Sequence, residues 1–288
     1  MKQIRADREK AIRKEGGNVP FPGCTELLAE RGEESPQIVL TVTDSEGNMI
    51  RHLPGPSTRG FHRVAWDLRY PGIEPIQLDE DSQSSWNRPS SGPLVLSGRY
   101  NVTLSKLVDG KLEPLSPPQE FDVAALGGST LPVQDPQSVL NFQLETADLM
   151  RRALAAEKSV DEAETRIKHI RKALLSTPEA PPDLMEEARR IEVAIADLKD
   201  QLDGDPVRRS LSEARSPGFI DRLRQIARGH WQTTYGPTQT HRRDLEIAQG
   251  DWEVFYPRYR QIVAQDLVRL EESLERAGAP HTPGRTIP

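Results

Sequence analysis

The chain has 288 residues, with 38 Lys and Arg against 44 Asp and Glu and a formal net charge of −6; its length suits about two domains, and the acidic balance argues against nucleic acid or an anionic membrane as partner. Hydrophobic residues are 35% and aromatics 5%, beside 24 Pro, so the chain is Pro-punctuated and short of rings to fill a core. No apolar run approaches the roughly 18 residues needed to span a bilayer, and one cysteine, Cys24, excludes an internal disulfide and leaves the redox compartment open.

Residues 1–17 read as a highly charged helix without the apolar stretch of an export signal. PFPG at 20–23 ends it, and 24–35 adds a short helical turn, so 1–35 is a charged entry segment. From Gln37 the pattern becomes β: QIVLTVT, the turn DSEGN and MIRHL make a hairpin with Gly47 placed for positive φ. Residues 61–68 alternate around Trp66, a large ring suited to anchoring a core, and Ser97-Gly98 marks a tight turn into the next strand. There Tyr100, Val102 and Leu104 point inward, and 119–123 closes with Phe121 and Val123. Five to seven short strands over 36–124 predict an antiparallel β-sandwich with Trp66, Tyr100 and Phe121 in its core.

Residues 70–91 form an irregular stretch longer than most loops, of the kind that is often functional or disordered. Residues 125–134, rich in Gly and small residues, have the composition of a linker. Asp135-Pro136 is an N-cap followed by Pro at the first helical position, opening a helix to about Leu175. Val160, Ala163, Ile167, Ile170 and Leu174 recur at spacings of three and four, and Leu184, Ala188, Ile191, Ile195, Leu198 and Leu202 repeat the pattern after a Pro-rich loop. These two stripes predict an antiparallel helical hairpin, although such stripes also suit a coiled-coil dimer. Further helices follow around 206–211, through Ile220, Leu223 and Ile226 after a break at Ser216-Pro217-Gly218, and from about 238 to 276 with a kink at Pro257. The expected class is α+β and multidomain: a sandwich, then an antiparallel three- or four-helix bundle over 135–277, then an irregular tail over 278–288.

The turn at 44–47, the run GFHRVAWD ending in Trp66-Asp67, the pair Gly98 and Tyr100, and the tail GAPHTPGR at 278–285 together resemble one known arrangement. It is the Ig-like domain of the flagellar hook-capping type plus helical bundle at the C-terminal end of bacterial sialidase-like, BNR-repeat or sortilin-like β-propeller proteins, often labelled glycosyl hydrolases. The resemblance covers nearly the full length. Ser97 stands where such proteins commonly have Pro, and His281 where they commonly have an aromatic residue. It implies an exported protein and a noncatalytic accessory region that docks on a β-propeller, in cis or in trans, or on another protein. The alternatives are part of a glycosyl hydrolase whose catalytic propeller lies outside this chain, and a free-standing carbohydrate- or protein-binding module.

Little catalytic chemistry is legible. A glycosidase needs two carboxylates held across the sugar, and nothing in the linear spacing supplies them. The six histidines, His62, His230 and His241 among them, show no metal-ligand spacing, and no cofactor is expected. Asp79, Glu80 and Asp81 are oxygen donors for calcium but lack the alternation and glycine of a calcium loop. Trp86, beside Asn87 and Arg88, either packs down on the sandwich or stacks on a sugar or partner. Trp252, Phe255, Tyr256 and Tyr259 recur at helical spacing, which favours core over surface. Asn101-Val102-Thr103 fits a glycosylation sequon but falls within a strand.

Overall fold

The computed structural model describes residues 2–76, 91–126, 135–213, 217–231, 233 and 235–287. The class is α+β, with a five-stranded antiparallel sheet and a separate set of packed helices. Contacts divide the chain into two units, Met1–Leu68 with Ser97–Leu126, and Arg69–Leu96 with Gly127–Pro288. Arg69–Leu96 thus groups with the helices, although the sequence reading sets it inside 36–124.

In the first unit, α1 (Lys2–Lys14) and α2 (Cys24–Arg31) are tied by charge rather than by a core. Arg5 forks onto both oxygens of Glu30 at 2.6 and 2.8 Å and also reaches Glu9 at 2.5 Å, while α2 buries no residue. The sheet follows as β1 (Gln37–Asp44), β2 (Met49–Gly55), β3 (Gly98–Val108), β4 (Lys111–Pro114) and β5 (Gln119–Val123). β1 lies between β2 and β3, and the far edge of β3 is shared by β5 along Gly98–Val102 and β4 along Ser105–Val108. The first hairpin closes as its residues require: Asp44 accepts from the backbone N–H groups of Glu46 and Asn48, and Gly47 has φ 86°. Asp109-Gly110, at φ 49° and 72°, turns β3 into β4. A register shift near Val42 leaves Ile50 without an opposite residue, and this bulged side chain is buried.

Residues 61–68 are not a strand. They carry no ladder pairing, Phe61 is fully exposed, and Leu68 sits at φ 57°, a left-handed conformation that a β-strand does not adopt. Alternation alone could not distinguish a paired strand from an unpaired segment.

In the second unit, α3 (Pro136–Leu175) starts where Asp135 caps the N–H groups of Gln137 and Ser138. α4 (Pro182–Asp203), the short α5 (Pro206–Ser210), α6 (Phe219–His230), α7 (Gln239–Gln261) and α8 (Leu267–Arg276) follow. The stripes of α3 and α4 are buried as the spacing requires, with Val160, Ala163, Ile167, Ile170, Ala188 and Leu198 fully enclosed. Gly218 lets α6 begin against the end of α4, since a Cβ there would meet the carbonyl oxygen of Leu202 at 2.5 Å. The helix carries through Pro257 to Gln261, and the irregularity falls further on, in a π-helical turn at Ile262–Asp266.

Two non-helical pieces complete this core. Arg69–Leu96 contributes Ile73, buried among the helices, and its arms meet through Tyr70 N–H to the Pro93 carbonyl and Gly92 N–H to the Tyr70 carbonyl. A Cβ at Gly92 would lie 2.4 Å from the Pro71 carbonyl oxygen. The tail docks as well: Thr282 and Arg285 are buried, and Arg285 donates to the Ala279 carbonyl and meets Glu275 at 3.0 Å. Gly284, at φ 86°, lies against the Arg166 side chain, which forks onto the buried Glu271 of α8 at 2.9 and 2.6 Å.

Candidate functional site

The β-ladder sorts the side chains of the sheet onto two faces. Pairing of Leu40 with Leu53 and Leu104, of Val42 with Val102, and of Tyr100 with Phe121 sets these residues on one face, with Ile38 two positions from Leu40. Val39, Thr41, Thr43, Asn101, Thr103, Leu107, Glu120 and the buried Ser105 occupy the other. Of the apolar face only Val42 and Tyr100 are buried; Ile38, Leu40, Leu53, Val102, Leu104 and Phe121 stay partly open to solvent.

One end of this face is closed by rings. Trp66 meets Tyr100 edge-on at 5.6 Å and Phe121 at 6.2 Å, and Tyr100 stacks on Phe121 at 6.0 Å. Trp66 itself is half-buried, and Asp67 beside it accepts from Arg51 of β2 at 2.8 Å. The three predicted core residues are therefore brought together, with Trp66 lying from an irregular segment onto the sheet. Trp86, Asn87 and Arg88, and the acidic run Asp79, Glu80 and Asp81, lie outside the described residues. The α7 stripe divides: Phe255 is buried against Phe219, Trp252 and Tyr259 are half-buried, and Tyr256 is 42% exposed.

Two polar clusters in the helical unit were invisible in linear spacing. Glu157 of α3 and Asp203 at the end of α4 face each other beside Arg224 of α6, which stands 3.9 Å from Glu157. Burial first, then the charge of Asp203, pushes the Glu157 carboxyl up to about 7. Such a pair can share a proton, the property on which carboxylate acid–base chemistry rests. Nearby, Lys199 bridges Asp161 at 2.7 Å and Glu164 at 2.8 Å.

The second cluster is the corner after α6. His230 is 1% exposed and lies edge-on to Phe142 at 5.3 Å and to His241 at 5.6 Å. Its Nε2 meets the Tyr235 carbonyl at 2.9 Å, while the Nδ1 atoms of both histidines and the indole N–H of Trp231 have no hydrogen-bond partner among the described residues. Gln143 donates to the His230 carbonyl at 3.0 Å, and Arg69 donates to the Trp231 carbonyl at 3.3 Å and the Gly92 carbonyl at 3.1 Å. No group of three or more His, Cys, Asp or Glu is placed to hold a metal among the described residues, nor is any described helix long and apolar enough to cross a membrane.

A groove of about 620 Å³ runs between α4 and α8, where Arg190, Arg269 and Arg276 alternate with Glu187, Asp266 and Glu272. With its charges balanced, it selects neither an anion nor a cation. Comparison with known proteins finds no matching family model, no matching curated protein and no matching solved structure.

Proposed function

We propose that this chain is a noncatalytic interaction region whose sheet docks on a protein partner, a β-propeller of the sialidase-like kind. On this reading the sheet is one layer of an Ig-like sandwich and the helices are an antiparallel bundle, as the resemblance of the Trp66-Asp67 and Gly98 to Tyr100 motifs implies. The observation that carries it is the apolar sheet face, where Leu40, Leu53, Val102 and Leu104 are only half-buried. Apolar side chains gathered on one side of a sheet gain roughly 25 cal/mol per Å² when a partner removes their remaining exposed area from water. The opposite face mixes its threonines and acids with Val39 and Leu107, so its apolar residues are interrupted by polar ones.

Calorimetric titration of a purified sialidase-type propeller into the full chain tests the reading. The expected result is saturable binding that Leu53→Lys, on the outer strand of the sheet, weakens at least tenfold while the circular dichroism spectrum stays unchanged. Absence of binding, or binding indifferent to Leu53→Lys, overturns it.

A further inference from the structure

We infer that His230 and His241 form an acid-sensitive latch, which holds the Arg69 segment against the end of α6 near neutral pH and releases it in acid. The tautomer follows from the geometry. A carbonyl can only accept, so Nε2 of His230 carries the proton it donates to Tyr235, and Nδ1 is left as a bare, buried lone pair.

Protonating that nitrogen puts a charge where no carboxylate among the described residues is seen to compensate it. α7 faces it with His241 and Arg242, α3 with the uncharged Phe142 and Gln143, and the incoming segment brings Arg69 to the next carbonyl. Asp244 of α7 pairs with Arg222, Glu145 of α3 accepts from Gln249, and Asp203 of α4 lies with Glu157 by Arg224, nearly two turns along α6. Burial, then His241 and Arg242, outweigh the Tyr235 hydrogen bond and hold the His230 imidazole below the usual histidine range. A depressed histidine contributes stability that is present above its unfolded value and lost as the pH falls through the folded one. Solvating the imidazolium requires opening the same corner whose carbonyls bind Gln143 and Arg69, so the segment and the charge cannot both be accommodated.

Hydrogen exchange on the full chain at pH 7.5 and 5.0, corrected for intrinsic rates, tests this. The amides of Tyr70, Gly92, Trp231 and Thr233, all hydrogen-bonded at this corner, are expected to lose at least tenfold protection at pH 5.0 while the middle of α3 does not. His230→Gln and, independently, His241→Gln reduce that change below threefold; should the first fail to fold, the second decides. Equal protection at both pH values, acceleration throughout the chain, or an undiminished response in the variants overturns the latch.

Discussion

Trp66 and Phe61 belong to one run, GFHRVAWD, yet their surroundings give them unlike energetic weights. Phe61 is fully solvated, whereas Trp66 is half-buried and edge-on to two rings. Truncating Trp66 to Ala removes about half the burial of a large ring plus two aromatic contacts, and is expected to cost about 2 kcal/mol. Phe61→Ala is expected to stay within about 0.5 kcal/mol, as surface changes do. Chemical denaturation followed in the β region of the circular dichroism spectrum checks both, and a Phe61→Ala cost equal to that of Trp66→Ala would show that 61–68 pairs into the sheet. Leu68, the last residue of 61–68, has a left-handed φ of 57°, which a strand could not continue through.

Three helices meet at the carboxylate pair of Glu157 and Asp203, so its titration reports on how α3, α4 and α6 hold together. Glu157 is raised from 4.5 to about 7 by burial first and Asp203 second. Between those values the unfolded chain releases its proton while the folded chain keeps it. Stability from this group is therefore full below pH 4.5, falls as pH rises, and is lost above 7. The direction is opposite to that at His230. Glu157→Gln, neutral at every pH, is expected to gain about 1 to 2 kcal/mol over the parent at pH 8 relative to the difference at pH 4.5. Urea melts of both proteins across that range measure it; a constant difference would mean that Glu157 titrates alike in the folded and unfolded chain.

On the scale of the whole molecule, the helices do not complete their own core. Ile73 and Arg69 enter from a segment that precedes α3 by some sixty residues of sequence, Ile73 into the apolar core and Arg69 onto the Trp231 carbonyl. A fragment spanning 69–288 is therefore expected to be more stable than one spanning 135–288, by about 2 to 4 kcal/mol for a lost buried aliphatic side chain together with a charged hydrogen bond. Thermal and urea unfolding of the two fragments decide it. Equal stability would show that the segment merely rests on the helices.

The helices were legible because their information is local. Asp135-Pro136 announces a cap, and the three-and-four spacing from Val160 to Leu174 and from Leu184 to Leu202 defines a buried stripe in one dimension. The hairpin at Asp44 to Gly47 was legible for the same reason, since a short carboxylate and a glycine specify a turn without help from elsewhere. By itself the sequence determined an α+β chain and most of its helices and strands. Tertiary structure decided which unit takes Arg69–Leu96, that 61–68 stays unpaired, and that Pro257 lies inside a continuing helix. It also decided the polar chemistry. Glu157 and Asp203 stand 46 positions apart, and His230, His241 and Arg69 share no spacing rule, so only packing in three dimensions could bring their charges and lone pairs within reach of one another and withdraw them from water.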